Sequence, residues 1–403
     1  MAEKLKGNLL VGQSGGPTAV INSSLAGVVQ EAMKHDQIQG IYGMVHGVQG
    51  LLKEEMIDLR RESPENIELL RQTPSAALGS CRRKLKEEDY DRLIGIFQKY
   101  NIRYLHYIGG NDSQDSSYQL SKLARDRGFD MRVIGIPKTI DNDLAVTDHS
   151  PGYGSVSRFI ALATRDAGLD TEAIGVVDTV KVIEIMGRNA GWITASAALA
   201  KEEPDDAPHL VYVPERPLDL ERFAGHVQTV YERLGHVVIA VCEGLKGQGG
   251  ESIVASGSTI DVDSFGHKQH GGVGDFLCSV IKEKLKLKAR CDKPATIQRV
   301  SMIAASPVDL EEAYQVGVMA VRHAVAGQSD QMVTLERESG PTYRCTTGLA
   351  TLVDAANKEK KMPDHFINQE GNGVTEAFLE YARPLMGRTL PKYARLKKHR
   401  VQI

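Results

Sequence analysis

The stretch "RVIGIPKTIDND", Arg132 to Asp143, places one lysine and two aspartates directly after an apolar run. The valine and isoleucine residues predict a buried strand, and Pro137 fixes the direction of the chain as it leaves that strand. Buried charge is costly unless partners compensate it. We interpret Lys138, Asp141 and Asp143 as groups whose partners are phosphates and a divalent metal. The alternative is a capped turn with a surface Lys–Asp pair worth under about 1 kcal/mol.

Apolar runs with similar endings recur along the chain. They are "NLLVGQSGG", "IRYLHYIGGNDS", "VKVIEIMGRNAG" and "HVVIAVCEGL", and helical patterns lie between them. Runs rich in valine and isoleucine that alternate with helices predict parallel sheets in an α/β fold. Because ligands in such folds collect at the carboxyl ends of strands, we expect one site built from these endings.

Composition narrows the class of protein. A chain of 403 residues suggests two or three lobes. The net charge is −3, from 49 basic and 52 acidic residues, and this balance predicts no nucleic-acid or membrane partner. The five cysteines show no CxxC spacing, which disfavours a disulfide framework or a zinc ribbon and favours the cytoplasm. We expect neither a signal peptide nor a membrane span, because apolar runs of about 18 residues are missing.

Two glycine-rich segments are candidate anion sites. In "VGQSGGPTAVINSS", Gly15 and Gly16 would let backbone N–H groups approach a phosphate, although a tight strand–helix turn explains them equally well. In "IGGNDSQDS", Asn111, Asp112 and Ser113 offer oxygen ligands for a metal shared with substrate phosphates. A helix cap is the alternative there.

Further candidates follow other apolar runs or stand in basic turns. Arginine suits bidentate contact with phosphate, and a glutamate at a strand end accepts hydrogen bonds from sugar hydroxyls. Each residue alone is also compatible with a solvated turn, core packing or an ordinary salt bridge. These candidates are Arg82, Arg83, Met186, Gly187, Arg188, Glu243 and Arg299.

Two other polar segments lie outside these strand endings. The polar, glycine-rich residues 244–275 indicate a long mobile loop or lid, or else a simple surface insertion. The basic tail "PKYARLKKHRVQI" is interpreted as a solvated terminal segment.

The motifs "SGG", "GGNDS", "PKTIDND", "MGR", "CEG" and "IQR" stand in the order found in phosphofructokinases, and the chain resembles that family from about Asn8 to about Gly327. The finer resemblance is to its pyrophosphate-dependent branch, because Asp112 and Lys138 stand where ATP-using relatives have glycine. The resemblance implies that Asp112 repels the α-phosphate of ATP and that Lys138 attracts pyrophosphate.

The resemblance also implies the fold and its division into lobes. We expect two Rossmann-like three-layer α/β lobes with largely parallel sheets and an active site in the cleft between them. The donor lobe would comprise residues 1–152 and about 307–355, and the sugar-phosphate lobe residues 153–306 and about 356–403.

Individual roles follow from the same resemblance. Asp141 would be the base for the 1-hydroxyl of fructose 6-phosphate. The implied catalytic residues are Asp141, Lys138, Asp112 and Arg188. The implied donor-binding residues are Gly15, Gly16, Arg82, Gly110 and Lys138. The implied acceptor-binding residues are Thr139, Ile140, Asp141, Met186, Gly187, Arg188, Glu243, Arg299 and Tyr314. The implied metal is Mg²⁺, with Asn111 and Asp143 as its ligands.

One departure concerns the metal, because relatives of this pattern have aspartate where Asn111 stands. The resemblance implies reversible phosphoryl transfer from pyrophosphate to fructose 6-phosphate, in a homodimer or homotetramer. An ATP-dependent enzyme and a catalytically silent regulatory subunit are the rival interpretations. Asp141, Arg188 and Arg82 disfavour the silent subunit, whereas Asn111 favours it.

Overall fold

The computed structural model describes residues 5–254, 259–262, 268–270, 272–356, 358–396 and 399. Strands and helices alternate through most of this range. The strands are β1 Gly7–Gln13, β2 Ile38–Met44, β3 Met56–Asp58, β4 Ile102–Gly109, β5 Arg132–Pro137, β6 Val180–Ile185, β7 Leu210–Tyr212, β8 Val237–Cys242, β9 Thr259–Val262, β10 Lys268–His270, β11 Ala289–Asp292, β12 Gln331–Arg337 and β13 Cys345–Thr351.

The α-helices range from single turns to a helix of 22 residues. They are α1 Ile21–Ala32, α2 Gly47–Leu51, α3 Pro64–Leu69, α4 Glu87–Lys99, α5 Asn111–Asp126, α6 Tyr153–Ile174, α7 Trp192–Ala195, α8 Leu220–Leu234, α9 Val273–Leu285, α10 Ile297–Val300, α11 Pro307–Val325, α12 Leu352–Ala355 and α13 Glu376–Ala382. None of the described helices is long and apolar enough to cross a membrane.

Two sheets organise the two lobes. The larger has the order β13-β12-β5-β4-β1-β2-β3, with parallel pairing from β12 through β2 and antiparallel strands at both edges. The smaller has the order β11-β6-β8-β7 and is parallel throughout. The prediction of α/β lobes with largely parallel sheets is confirmed, whereas the exact lobe boundaries stay a prediction.

Strand β1 illustrates how the sequence builds these layers. Its side chains alternate between the two faces of the sheet, so Leu9 and Val11 pack in one apolar cluster and Leu10 in another. Helices α1 and α11 cover the first face, and α4 covers the second. A strand covered on both faces reads as a continuous apolar run, which is the pattern seen in "NLLV".

The chain returns twice near its end. Strands β12 and β13 complete the larger sheet, and the following segment packs on the second lobe. There the ring of Phe366 lies 5.9 Å from that of Trp192 and meets it edge-on. These returns bring residues from the end of the sequence to the cleft between the lobes.

The structure describes the predicted loop and the predicted solvated tail in part. The predicted loop or lid at 244–275 falls partly outside the described residues, and within it β9 and β10 pair antiparallel. The tail is exposed at 391–396, yet it is held to α6 and its neighbourhood. Tyr393 donates to Asp166 at 2.9 Å, and Arg395 pairs with Asp206 at 2.6 Å. The described tail residues 391–396 are therefore exposed to solvent, as predicted, and surface contacts also tie them to the rest of the protein.

Candidate active site

A cavity of about 720 Å³ lies between the carboxyl ends of the two sheets. Segments 14–18, 110–113 and 138–143 line it from the larger lobe, and segments 186–190 and 243–246 line it from the smaller lobe. Ser252 and Glu359 also line the cavity. Sixteen of the seventeen residues implied by the resemblance line this one cavity. They are Gly15, Gly16, Arg82, Gly110, Asn111, Asp112, Lys138, Thr139, Ile140, Asp141, Asp143, Met186, Gly187, Arg188, Glu243 and Arg299.

The glycine loop after β1 makes room for two cations. Gly15 has a φ of +77°, and a Cβ atom there would lie 3.1 Å from Lys138 Nζ. A Cβ atom at Gly16 would lie 2.9 Å from an Arg299 guanidinium nitrogen. The left-handed backbone favours glycine at the first position, and the lack of a side chain at both leaves space for the ends of the two cations. The loop is thus a tight turn that also presents two positive side chains to the cavity.

Lys138 is the most deeply buried of these cations. Its side chain is 3% exposed, and its ammonium group donates to the carbonyl oxygen of Gly16 at 2.9 Å. Burial, followed by repulsion from Arg299, lowers the pKa of Lys138 to about 8, although Asp141 opposes the shift. Neighbouring groups therefore do not fully balance the positive charge of protonated Lys138, and an anion in the cavity would stabilise it.

The acidic turn after β5 is held by its own polar side chains. The backbone N–H of Asp141 donates to the Thr139 hydroxyl at 3.1 Å. Asn142 has a φ of +54°, a left-handed conformation that asparagine tolerates better than most residues. Its side-chain oxygen accepts from the Ser150 backbone at 3.1 Å, and its amide donates to the Tyr381 hydroxyl at 2.9 Å. These bonds fix Asp141 on one side of Asn142 and Asp143 on the other.

Both aspartates of this turn are under electrostatic strain. Burial, then the charges of Asp143 and Glu243, raise the pKa of Asp141 to about 7, against the opposing effect of Arg188. Burial likewise raises the pKa of Asp143, and the charge of Glu359 adds to the shift. A carboxylate that titrates near neutrality beside a cavity is suited to accept a proton from a bound hydroxyl group.

A metal site is suggested by Asn111 and Asp143. The amide nitrogen of Asn111 donates to Asp143 Oδ2 at 3.1 Å. In the part of the chain that the structure describes, Asn111 Oδ1 and Asp143 Oδ1 are buried without a hydrogen-bond partner. Buried oxygen atoms usually have hydrogen-bond partners. Mg²⁺ prefers neutral or anionic oxygen ligands, such as these two atoms. The donor set therefore fits the magnesium ion that the resemblance implies.

The smaller lobe contributes the opposite wall. The backbone N–H of Gly187 donates to Glu243 Oε1 at 3.3 Å, and that of Met186 donates to the Gln298 side chain at 3.3 Å. Burial raises the pKa of Glu243. These bonds orient the segment carrying Arg188, which also lines the cavity. The wall offers the cations Arg188 and Lys246, a carboxylate and an apolar thioether, a combination suited to a sugar phosphate.

Tyr314 is the implied residue that the structure does not bring to the cavity. It lies on the face of α11 that packs against α1, where its hydroxyl donates to the Gln30 side chain at 2.8 Å. The guanidinium of Arg71 stacks on its ring at 4.2 Å. Tyr314 therefore does not line this cavity, because helix packing turns it away, and its assignment to an acceptor site stays a prediction. Arg83, in turn, pairs with Asp89 at 2.7 Å.

Several lining residues were not predicted as site residues from the sequence, among them Asn189, Lys246, Ser252 and Glu359. Lys246 and Ser252 are joined by an antiparallel bridge within the segment that was interpreted as a loop. Asn189 directly follows the "MGR" motif, and its position there was the available signal. Glu359 stands in "KEKK", a charged run without any local motif, and the return of the chain alone places it in the cleft.

Comparisons with known proteins agree with this geometry. The phosphofructokinase family profile matches residues 8–324. The pyrophosphate–fructose 6-phosphate 1-phosphotransferase of Rhodospirillum rubrum is 42% identical over 401 residues, which is 98% of each chain. The protein of that name from Halomonas elongata is 42% identical over 410 residues, covering 98% of this chain and 97% of the relative.

A solved structure extends the likeness to three dimensions. The pyrophosphate-dependent phosphofructokinase from Marinobacter aquaeolei aligns with a TM-score of 0.86 at 38% identity, covering 98% of each chain. Sequence and fold agree over nearly the whole length. The chain belongs to the phosphofructokinase family.

Proposed function

We propose that this chain catalyses reversible, Mg²⁺-dependent transfer of a phosphoryl group from pyrophosphate to the 1-hydroxyl of fructose 6-phosphate, giving fructose 1,6-bisphosphate and phosphate. One observation carries the proposal: the buried ammonium of Lys138 and the carboxylate of Asp112 line one cavity. The names of the relatives support it. A homodimer or homotetramer in the cytoplasm is part of the same proposal.

The donor preference rests on charge. Asp112 stands in the first turn of α5, whose amino end faces the cavity and would attract anions. A carboxylate at that place repels the additional phosphate of a nucleotide, whereas Lys138 compensates the compact charge of pyrophosphate. The pair therefore favours a short inorganic donor over ATP.

The chemistry rests on Asp141. With a pKa of about 7, this carboxylate would accept the proton of the attacking 1-hydroxyl near neutral pH. Lys138, Arg82 and Arg299 would surround the transferred group with positive charge, as phosphoryl transfer requires. Asp143 and Asn111 would hold the magnesium ion, which would supply positive charge for the oxygens of the donor. Met186, Arg188 and Glu243 would hold the sugar.

The donor assay separates this proposal from its rivals. The purified chain is given fructose 6-phosphate with pyrophosphate or with ATP, each with and without Mg²⁺. We expect fructose 1,6-bisphosphate only with pyrophosphate and Mg²⁺. Turnover with ATP alone would identify an ATP-dependent enzyme. Absence of turnover with both donors, in a chain that still binds fructose 6-phosphate, would identify a silent subunit.

A further inference from the structure

The segment 358–362, which we call the strap, runs along the acidic turn of the cleft. Leu144 and Glu359 pair as an antiparallel bridge, and the backbone N–H of Lys360 donates to the carbonyl oxygen of Asp143 at 2.7 Å. The ammonium of Lys360 donates to the carbonyl oxygens of Thr147 and Asp148 at 3.0 and 2.7 Å. The strap therefore follows the chain that carries Asp143.

The other edge of the strap is bound to the smaller lobe. The indole N–H of Trp192 donates to the carbonyl oxygen of Lys360 at 3.1 Å. The backbone N–H of Met362 donates to Glu215 Oε1 at 3.1 Å, and the same carboxylate accepts from the backbone of Gly191. Because both lobes hold this backbone, the position of Glu359 between them is fixed even though its side chain is exposed.

Glu359 lines the cavity at the corner next to the chain that carries Asp143. It lines the cavity together with Asn111 and Asp143, and its charge acts on Asp143. Among the described residues, no hydrogen bond or ion pair engages its side chain. The charge of Glu359 repels that of Asp143, whereas the Lys360 ammonium attracts it, and a bound divalent ion would reverse the repulsion between the two carboxylates.

The charge count at this corner points in the same direction. Asn111 offers a neutral amide oxygen, so Asp143 alone supplies a formal negative charge from the two implied ligands. Carboxylate oxygens are stronger Mg²⁺ ligands than amide oxygens. In proteins this ion is usually held by one or two carboxylates together with substrate phosphates. We propose that Glu359 supplies the second carboxylate of the metal site, directly or through a coordinated water, and so replaces the charge that is missing at Asn111.

This inference rests on the proposed function, since it assumes a divalent ion that is shared with a pyrophosphate donor. It is tested by electron paramagnetic resonance of Mn²⁺, titrated into the full-length protein with methylenediphosphonate, a non-hydrolysable pyrophosphate analogue. Glu359→Gln should weaken Mn²⁺ binding by at least about tenfold. The matched control is Glu376→Gln, which removes an exposed glutamate paired with Arg383 at 3.6 Å and should change nothing.

A reciprocal variant makes the test decisive. Asn111→Asp combined with Glu359→Gln restores two carboxylates, and Mn²⁺ affinity should return to within a few-fold of the native value. Thermal unfolding checks that each variant is folded, which the exposure of Glu359 favours. Native-like Mn²⁺ affinity in Glu359→Gln overturns the role of Glu359 and leaves the proposed function intact. Failure of the native protein to bind Mn²⁺ in the presence of the analogue overturns both.

Discussion

Two clusters of buried charge stand on one stretch of chain, and they differ in how their charges are compensated. The cleft cluster consists of Lys138, Asp141 and Asp143 at the end of β5. The closed cluster consists of His149, Asp148 and Glu312. The imidazole of His149 lies 2.8 Å from the carboxylate of Asp148 and 2.7 Å from that of Glu312. Both are withdrawn from solvent, so the difference between them lies in their partners.

The closed cluster is complete within the protein. The Tyr343 hydroxyl donates to Glu312, and the Arg337 guanidinium donates to Asp148 at 3.2 Å. Burial alone would lower the pKa of His149, but hydrogen bonds to Asp148 and Glu312 raise it. Burial would likewise raise the pKa of Asp148, and the contact with His149 nevertheless lowers it. Both shifts favour the charged forms, which is the signature of a structural ion-pair network.

The cleft cluster shows the opposite signs. The pKa of Lys138 falls to about 8 and that of Asp141 rises to about 7, chiefly because both groups are buried. Both shifts favour the neutral forms, because the cluster lacks enough compensating charge of its own. In this protein the direction of the pKa shift distinguishes charges that are paired within the fold from charges that a bound ligand would compensate.

The largest effect is expected at the reacting base. Asp141→Asn should reduce kcat by about 10²–10⁴-fold with little change in KM, because the substituted amide cannot accept the proton. Steady-state kinetics with fructose 6-phosphate, pyrophosphate and Mg²⁺ measures this change. Asp364→Asn, at an exposed residue paired with Arg216, is the control. Unimpaired turnover of Asp141→Asn would remove this residue from the mechanism.

The next effect concerns the choice of donor. Replacing both Asp112 and Lys138 by glycine should raise the ratio of kcat/KM for ATP to that for pyrophosphate by on the order of 100-fold, since a like-charge contact costs several kcal/mol. Rates with each donor at fixed fructose 6-phosphate give the ratio. A ratio that stays at the native value would contradict the electrostatic account of the donor side.

Breaking the closed cluster should affect folding and leave the chemistry in place. His149→Ala leaves Asp148 and Glu312 without their shared partner, and we expect a loss of about 3 kcal/mol in the free energy of unfolding. Because the folded-state pKa of His149 is raised, its contribution is fully present below its ordinary pKa of 6.5 and is lost as pH rises through the raised value. Urea unfolding of native and variant protein across that range should show the deficit shrinking.

The smallest effect has the opposite sign and sharpens the contrast. The folded-state pKa of Asp141, about 7, exceeds its ordinary value of 3.8, so between these values the folded protein holds a proton that the unfolded chain releases. This group therefore lowers stability as pH rises from about 4 to about 7. Asp141→Asn should stabilise the fold by about 1 kcal/mol or more at pH 8 and by much less at pH 5. Destabilisation at pH 8 would show that Asp141 is already compensated.

Most of the site residues could be predicted from the sequence because they stand in short local motifs. Runs such as "RVIGIP" specify strands through their apolar, β-branched residues, and glycine or aspartate directly behind a strand marks its carboxyl end. The carboxyl ends of parallel strands lie at one edge of a sheet. The sequence alone therefore predicts that motifs such as "SGG" and "TIDND" line one cavity.

Other features depended on contacts between distant segments. The exclusion of Tyr314 follows from the packing of α11 on α1, and the arrival of Glu359 follows from the return of the chain beside Leu144. Neither contact leaves a local pattern, because the residues involved obey no common spacing.

By itself, then, the sequence determined the strands, the turns behind them and the chemical groups those turns carry, since these depend on backbone preference and hydrophobic period within a few residues. The tertiary structure alone decided which buried charges find partners. His149 and Lys138 stand close together in the sequence, yet one is enclosed by Glu312 and the other opens to a cavity beside Arg299. Compensation of charge acts through space, and its outcome depends on how distant segments are folded together.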